Sequence, residues 1–195
     1  NQPFINQTTG SHLIYNGEIY DYGIYNKFSN CSSDTYALSQ ILEERKLDLS
    51  QIDGMYSFLH WNSKKKILTI ARDRFGIKPL FMYKSKNLIA FSSSLRLLSR
   101  VFSLHEINQE YLQDVVFVGH PLNYDTAFQK IVEFPINQKS IFNPDTFKIS
   151  SNPIFNQEVV NNKKSKNYEF EPEKLKRLIR RSLEREISHS DRGSG

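Results

Sequence analysis

Ala71-Arg72-Asp73-Arg74-Phe75-Gly76-Ile77-Lys78-Pro79-Leu80-Phe81 is the stretch around which the chain is organised. An apolar run, Ile67-Leu68-Thr69-Ile70, leads into it, and a second, Leu80-Phe81-Met82-Tyr83, follows. Two strands joined by a charged turn is the simplest reading. Gly76 supplies a backbone angle that other residues resist, and Pro79 sets the start of the next strand. Arg72, Asp73 and Arg74 alternate in sign and can pair locally. On residue types alone the turn is solvated, with a surface ion pair that contributes little.

To the N-terminal side, residues 12–20 read as a strand ending at Asn16-Gly17, a strong turn signal that suits a hairpin. Residues 33–47 read as a short helix. Ser33 or Asp34 can cap it, because a side-chain oxygen there accepts from a free first-turn amide. Leu38, Ile41 and Leu42 form its buried stripe. Residues 54–61 are an aromatic-rich strand; Asn62-Ser63-Lys64-Lys65 is a turn, and 66–72 a returning strand. To the C-terminal side, a hairpin spans 80–93 and turns at Lys84-Ser85-Lys86-Asn87. Short helices fit 95–100 and 107–116, the latter with Asn108 as cap.

Residues 131–148 read as two short strands about Pro135 and Asn143-Pro144. Residues 156–171 are polar and read as a linker. Pro172 then opens a helix to about Ile187. Its stripe is Leu175, Leu178, Ile179, Leu183 and Ile187, with a solvated basic side and a need for a partner surface.

The chain has 195 residues, 38% hydrophobic and 24% charged. That is an ordinary globular composition, sufficient for one domain with a sizeable core and part of another. Fourteen Phe and ten Tyr suit a strand-rich core. The single cysteine, Cys31, excludes an internal disulfide framework and fits a reducing, cytoplasmic compartment. No run of eighteen apolar residues predicts a membrane helix. The net charge of +5 is not concentrated into a block interleaved with aromatics, so nucleic acid is not expected as a partner. The five histidines, His12, His60, His105, His120 and His189, lack ligand spacing, so no metal site is expected. The N-terminus, Asn1-Gln2-Pro3-Phe4, lacks both a signal-peptide pattern and an initiator Met, which suggests a processed chain or a fragment.

Three stretches, in order, carry a resemblance: Asn16-Gly17-Glu18-Ile19-Tyr20, Ser33-Asp34-Thr35, and the 71–81 segment. Together they resemble the class II glutamine amidotransferase domain of glutamine-hydrolysing asparagine synthetases. The resemblance implies an α+β fold of the N-terminal-nucleophile hydrolase type, a four-layer αββα sandwich incomplete at its N-terminus. It implies an amidotransferase domain over residues 1–155, the linker 156–171, and at 172–195 a truncated piece of the synthetase domain, its first helix.

The family's chemistry begins with an N-terminal cysteine, whose thiol attacks the side-chain amide of glutamine while its own amino group moves the proton. By resemblance, the Asn16 side-chain amide and the Gly17 N–H form the oxyanion hole. Asp34 binds the α-ammonium of glutamine, and Glu18 lines the pocket. Cys31 is internal and is read as structural or incidental. The family's N-terminal cysteine, and an upstream arginine for the glutamine carboxylate, have no counterpart here; Arg72 and Arg74 do not take that place. Tyr36 stands where the family has an acidic residue. Where the family carries Pro-Gly, this chain has Phe134-Pro135-Ile136-Asn137, and Asn enters the left-handed region less freely than Gly. Ser190-Asp191 resembles the residues before an ATP-binding loop, but Gly193-Ser194-Gly195 is too short to be that loop. ATP and Mg²⁺ are therefore expected only in a full-length enzyme, together with the partners glutamine, the synthetase domain and a possible second copy in a homodimer. The segment alone is expected to be inactive. The alternative is a catalytically dead module for glutamine binding or assembly.

Overall fold

The computed structural model describes residues 2–20, 33–43, 48–156 and 171–190, with the side chains of 185–190 excepted. The chain divides into two compact units, one of Asn1–Gly17 with Met55–Pro153 and the other of Glu18–Gly54 with Ile154–Gly195. In chain order the elements are β1 (Phe4–Ile5), β2 (His12–Ile19), α1 (Asp34–Glu43), a 3-10 turn (Leu49–Gln51), β3 (Gly54–Asn62), β4 (Ile67–Arg72), β5 (Phe81–Lys84), β6 (Ile89–Ser92), α2 (Leu95–Val101), α3 (Gln109–Val118), β7 (Ile131–Glu133), β8 (Gln138–Asn143), β9 (Lys148–Pro153) and α4 (Pro172–Ser190).

Two sheets organise the strands, one in the order β1-β2-β3-β4-β8-β9 and the other β6-β5-β7. The β3/β4, β4/β8, β8/β9, β5/β6 and β5/β7 pairings are all antiparallel. Mixed α/β architecture with antiparallel sheets is thus what the residues build. The core of the first unit centres on Ile70, Leu80 and Phe134, with Leu59, Leu68, Phe91 and Phe142 packed against them. Ile70, Leu59, Leu68 and Phe142 come from the larger sheet. Phe91 comes from the smaller sheet, and Leu80 and Phe134 sit at the ends of its β5 and β7. Phe91 meets Phe134 edge-on at 6.3 Å, a favoured aromatic geometry.

The charged stretch departs from its simplest reading. β4 and β5 are not hairpin partners, because they belong to different sheets. Ile70 and Leu80 are both buried in the shared core, so the connection crosses from one layer to the other. Nor is the turn solvated: Arg72 is 3% and Asp73 1% exposed. β2 departs likewise. It runs through Asn16-Gly17 to Ile19 instead of turning there. Gly17 is needed for close approach, because an added Cβ would overlap the Met55 carbonyl oxygen and lie 2.7 Å from Tyr56 Cα.

Asn137 enters the left-handed region, with φ of 55°. Its N–H donates to the Asp73 carbonyl at 2.9 Å. Asn137→Ala should lower stability by about 1–2 kcal/mol, since alanine tolerates this region poorly. Urea unfolding checks this, and an unchanged midpoint would show that the turn relaxes without cost.

The hairpin at β5/β6 turns as expected, closed by the Ser85 N–H to the Leu88 carbonyl at 2.8 Å. Asn108 caps α3 by accepting from Glu110 and Tyr111. The helix starts two residues later than its sequence suggests, because Ile107 instead bridges to Phe128. β9 was not expected: Lys-Ile-Ser-Ser-Asn-Pro has one large apolar residue, yet pairs along its length with β8. It is a polar edge strand, which leaves little hydrophobic signal.

In the second unit, Ser33 caps α1 by accepting the Tyr36 N–H at 3.2 Å. Ala37, Leu38, Ile41 and Leu42 are buried on one helix face. The expected C-terminal end of that helix (44–47), most of the linker (157–170) and Cys31 lie outside the described residues. α4 starts at Pro172, and Leu175, Leu178, Ile179 and Leu183 are 45–55% exposed along it. Among the described residues no helix is long and apolar enough to cross a membrane.

Candidate functional site

Asn16 and Gly17 belong to the first unit. Along β2, Leu13, Tyr15 and Ile19 are buried, whereas Ile14, Asn16 and Glu18 are exposed. This period of two follows from the pleat. The Asn16 amide is therefore presented to solvent from a strand and not from a loop. Gly17 lies with its backbone pressed on Met55 and Tyr56 of β3.

Glu18 and Asp34 belong to the second unit. Gly54 there repeats the device of Gly17: a Cβ on it would overlap the Glu18 carbonyl and lie 3.0 Å from Ile19 Cα. Asp34 opens α1. Its Oδ1 accepts the Thr35 N–H at 2.6 Å, and its Oδ2 accepts the Ile19 N–H at 3.4 Å. A carboxylate at a helix start is favoured by the free amides and the dipole there. Asp34 thereby ties the start of α1 to the end of β2, beside Glu18 in sequence. Tyr36 is 40% exposed on the first turn of α1.

Residue chemistry alone misplaced the centre of the 71–81 stretch. Arg72 donates from Nε to the Lys78 carbonyl at 2.9 Å, from Nη1 to that of Phe134 at 2.8 Å, and from Nη2 to that of Gly76 at 2.9 Å. Nη2 also pairs with Glu133 at 2.7 Å. Asp73 does the converse. Its Oδ1 accepts the N–H groups of Phe75 at 2.9 Å and Ile77 at 3.2 Å. Its Oδ2 accepts those of Lys78 at 3.2 Å and Tyr56 at 3.3 Å. Two adjacent buried charges thus satisfy the carbonyls and the amides of the loop, as buried backbone requires. Arg74 is the third charge of the alternation; it lies 5.6 Å over the ring of Phe75, which is 74% exposed.

Among the described residues no group of three or more His, Cys, Asp or Glu side chains is arranged to hold a metal ion.

The glutamine amidotransferase domain family matches residues 1–152, and the chain belongs to it. The curated proteins that the chain matches include glutamine-hydrolysing asparagine synthetases. It is 32% identical to glutamine-hydrolysing asparagine synthetase 2 of Bacillus subtilis strain 168, over 60% of this chain and 17% of the relative. It is equally identical to synthetase 1 of that organism, over 67% of this chain and 22% of the relative. A Methanocaldococcus jannaschii protein, provisionally named glutamine-hydrolysing asparagine synthetase 1, is 27% identical over 98% of this chain and 34% of its own length. The chain therefore matches between about a sixth and a third of these relatives. The structure of the allosteric regulatory enzyme of purine biosynthesis shares the fold, with a TM-score of 0.50 and 18% identity over 79% of this chain and 31% of that one.

Proposed function

We propose that this domain binds glutamine and releases its side-chain amide as ammonia for a fused synthetase. The single observation that carries the reading is the placement of Asn16-Gly17. A side-chain amide is exposed on a strand next to a glycine whose backbone is held against β3. Both are neutral donors, suited to an oxygen that becomes negative only in the tetrahedral intermediate. Asp34, tied to the end of β2, is the anionic partner for the α-ammonium of glutamine, and Glu18 lines the same pocket. The N-terminal-nucleophile four-layer sandwich is the architecture this reading adopts.

Cys31, the one cysteine of residues 1–195, is not the nucleophile in this reading, since its nitrogen is acylated and cannot serve as a base. Ammonia passes to a carboxylate activated with ATP and Mg²⁺, aspartate being the acceptor. No described residue is assigned to those groups. α4 begins the synthetase part, and the protein works in the cytoplasm.

The test is glutamine-dependent ammonia release by the full-length protein. Asn16→Ala should lower kcat about 100- to 1,000-fold, the effect of losing one oxyanion donor. Asp34→Asn should act mainly on KM, raising it roughly 10- to 100-fold through the lost charge-assisted contact. Residues 1–195 alone should release no ammonia. Release by them that Asn16→Ala abolishes would overturn the assignment of the nucleophile. Calorimetric binding of glutamine with no ammonia release would leave a binding module in place of an enzyme.

A further inference from the structure

We infer that Asp73 is a positioning residue for the oxyanion hole, acting through the backbone of Tyr56. The inference rests on the reading of Gly17 as an oxyanion donor.

The β3/β4 ladder runs from Asn62↔Ile67 to Ser57↔Arg72, so the next facing pair is Tyr56 and Asp73. The Asp73 N–H donates to the Tyr56 carbonyl at 2.8 Å, as a ladder requires. The return bond is different. The Tyr56 N–H goes to the Asp73 side chain, at Oδ2. The Asp73 carbonyl, which would ordinarily accept it, has turned away and takes the N–H groups of Asn137 and Gly76 instead. A side-chain carboxylate has replaced a backbone carbonyl in the sheet. β4 can then end and leave for the second sheet while Tyr56 stays held on both its backbone polar groups.

Tyr56 is the surface against which Gly17 is placed. The Cβ overlap at Gly17 involves Met55 O and Tyr56 Cα, which are backbone atoms that cannot swing aside. A shift of Tyr56 is therefore a shift of the wall behind Gly17. Asp73 is 1% exposed, so water does not replace its bond to Tyr56 without opening the loop. Asp73 touches no substrate in this scheme. Its contribution is to fix where the Gly17 N–H lies, and small misplacements of such donors are costly.

Asp73→Asn is the informative change. It retains size and one carbonyl oxygen for the loop amides, but turns an NH₂ group toward either Tyr56 or the loop. Arg72→Lys is the control, since it loosens the same loop without touching Tyr56. In the full-length protein, Asp73→Asn should lower kcat for glutamine hydrolysis about 10- to 100-fold with KM within about twofold. Arg72→Lys, compared at equal fraction folded, should leave kcat within about threefold. Amide exchange at Tyr56 should quicken at least about tenfold in the first variant only, with a shift of the Gly17 amide resonance. Where Asp73→Asn does not fold, Asp73→Glu, which keeps the charge but displaces it by one methylene, should give the same split.

Equal loss of kcat in both variants, or a loss confined to KM, would reduce Asp73 to a structural role and overturn the proposal. Should the wild-type protein release no ammonia, the glutaminase reading fails separately. The Tyr56 exchange and the Gly17 resonance then decide the positioning on their own, and their invariance overturns it.

Discussion

Arg72→Met is expected to lower unfolding free energy by about 3–5 kcal/mol, the range for breaking a buried charged network by removing one partner. Two losses contribute, and they are unequal. The Glu133 side chain is 35% exposed, so its carboxylate regains water and its share is screened. The carbonyls of Lys78, Phe134 and Gly76 suffer more. Each loses a charge-assisted donor, and the one to Phe134 is a buried bond. An unsatisfied buried polar group costs about 1–3 kcal/mol, and methionine offers no donor in return. The double variant Arg72→Met, Glu133→Gln should therefore recover less than about 1 kcal/mol over Arg72→Met. Urea unfolding of both measures the split. Recovery of most of the stability in the double variant would mean that the ion pair, and not the carbonyl clamp, governs the loop.

Gly17→Ala should cost about 3 kcal/mol and remove glutamine hydrolysis. The reason is chiefly steric, added to a φ of 158° that side-chain-bearing residues rarely adopt. The new methyl would overlap Met55 O and lie 2.7 Å from Tyr56 Cα, both fixed in β3 and the latter held by Asp73. β2 would have to move away from β3, taking Asn16 with it. Gly10 supplies the contrast. Its φ is 69°, but a Cβ there meets nothing within 4 Å. Gly10→Ala should cost only the left-handed preference, about 1–2 kcal/mol, and leave kcat unchanged. Thermal unfolding with an ammonia assay on both variants separates the two causes. Equal effects would mean that close approach at Gly17 is not what its position demands.

Much was legible in the residues. Asn108 and Ser33 signalled their helices because a cap is a local bond between a side chain and the next turn. Leu38, Ile41 and Leu42 marked the buried face of α1 because helix geometry is local too. The three ordered stretches identified the family, and with it the candidate residues Asn16, Gly17, Glu18 and Asp34. What they could not convey was the environment of each residue. Asn16-Gly17 has the composition of a turn and lies within a strand, because a neighbouring strand, distant in sequence, supplies the reason for the glycine. Lys148–Pro153 forms an edge strand on hydrogen bonds to β8, with little apolar pattern of its own.

Arg72 and Asp73 show the division most clearly. By sequence alone they are charges in a Gly-Pro turn, and the cheapest place for a charge is water. Only the fold brings the Phe134 carbonyl and the Tyr56 amide, 62 and 17 residues away, within reach of their side chains. Local chemistry determined where helices and most strands form, and the family determined which residues to examine. The tertiary structure decided which charges are buried and which glycines are crowded, because burial depends on segments that meet only after the chain has folded.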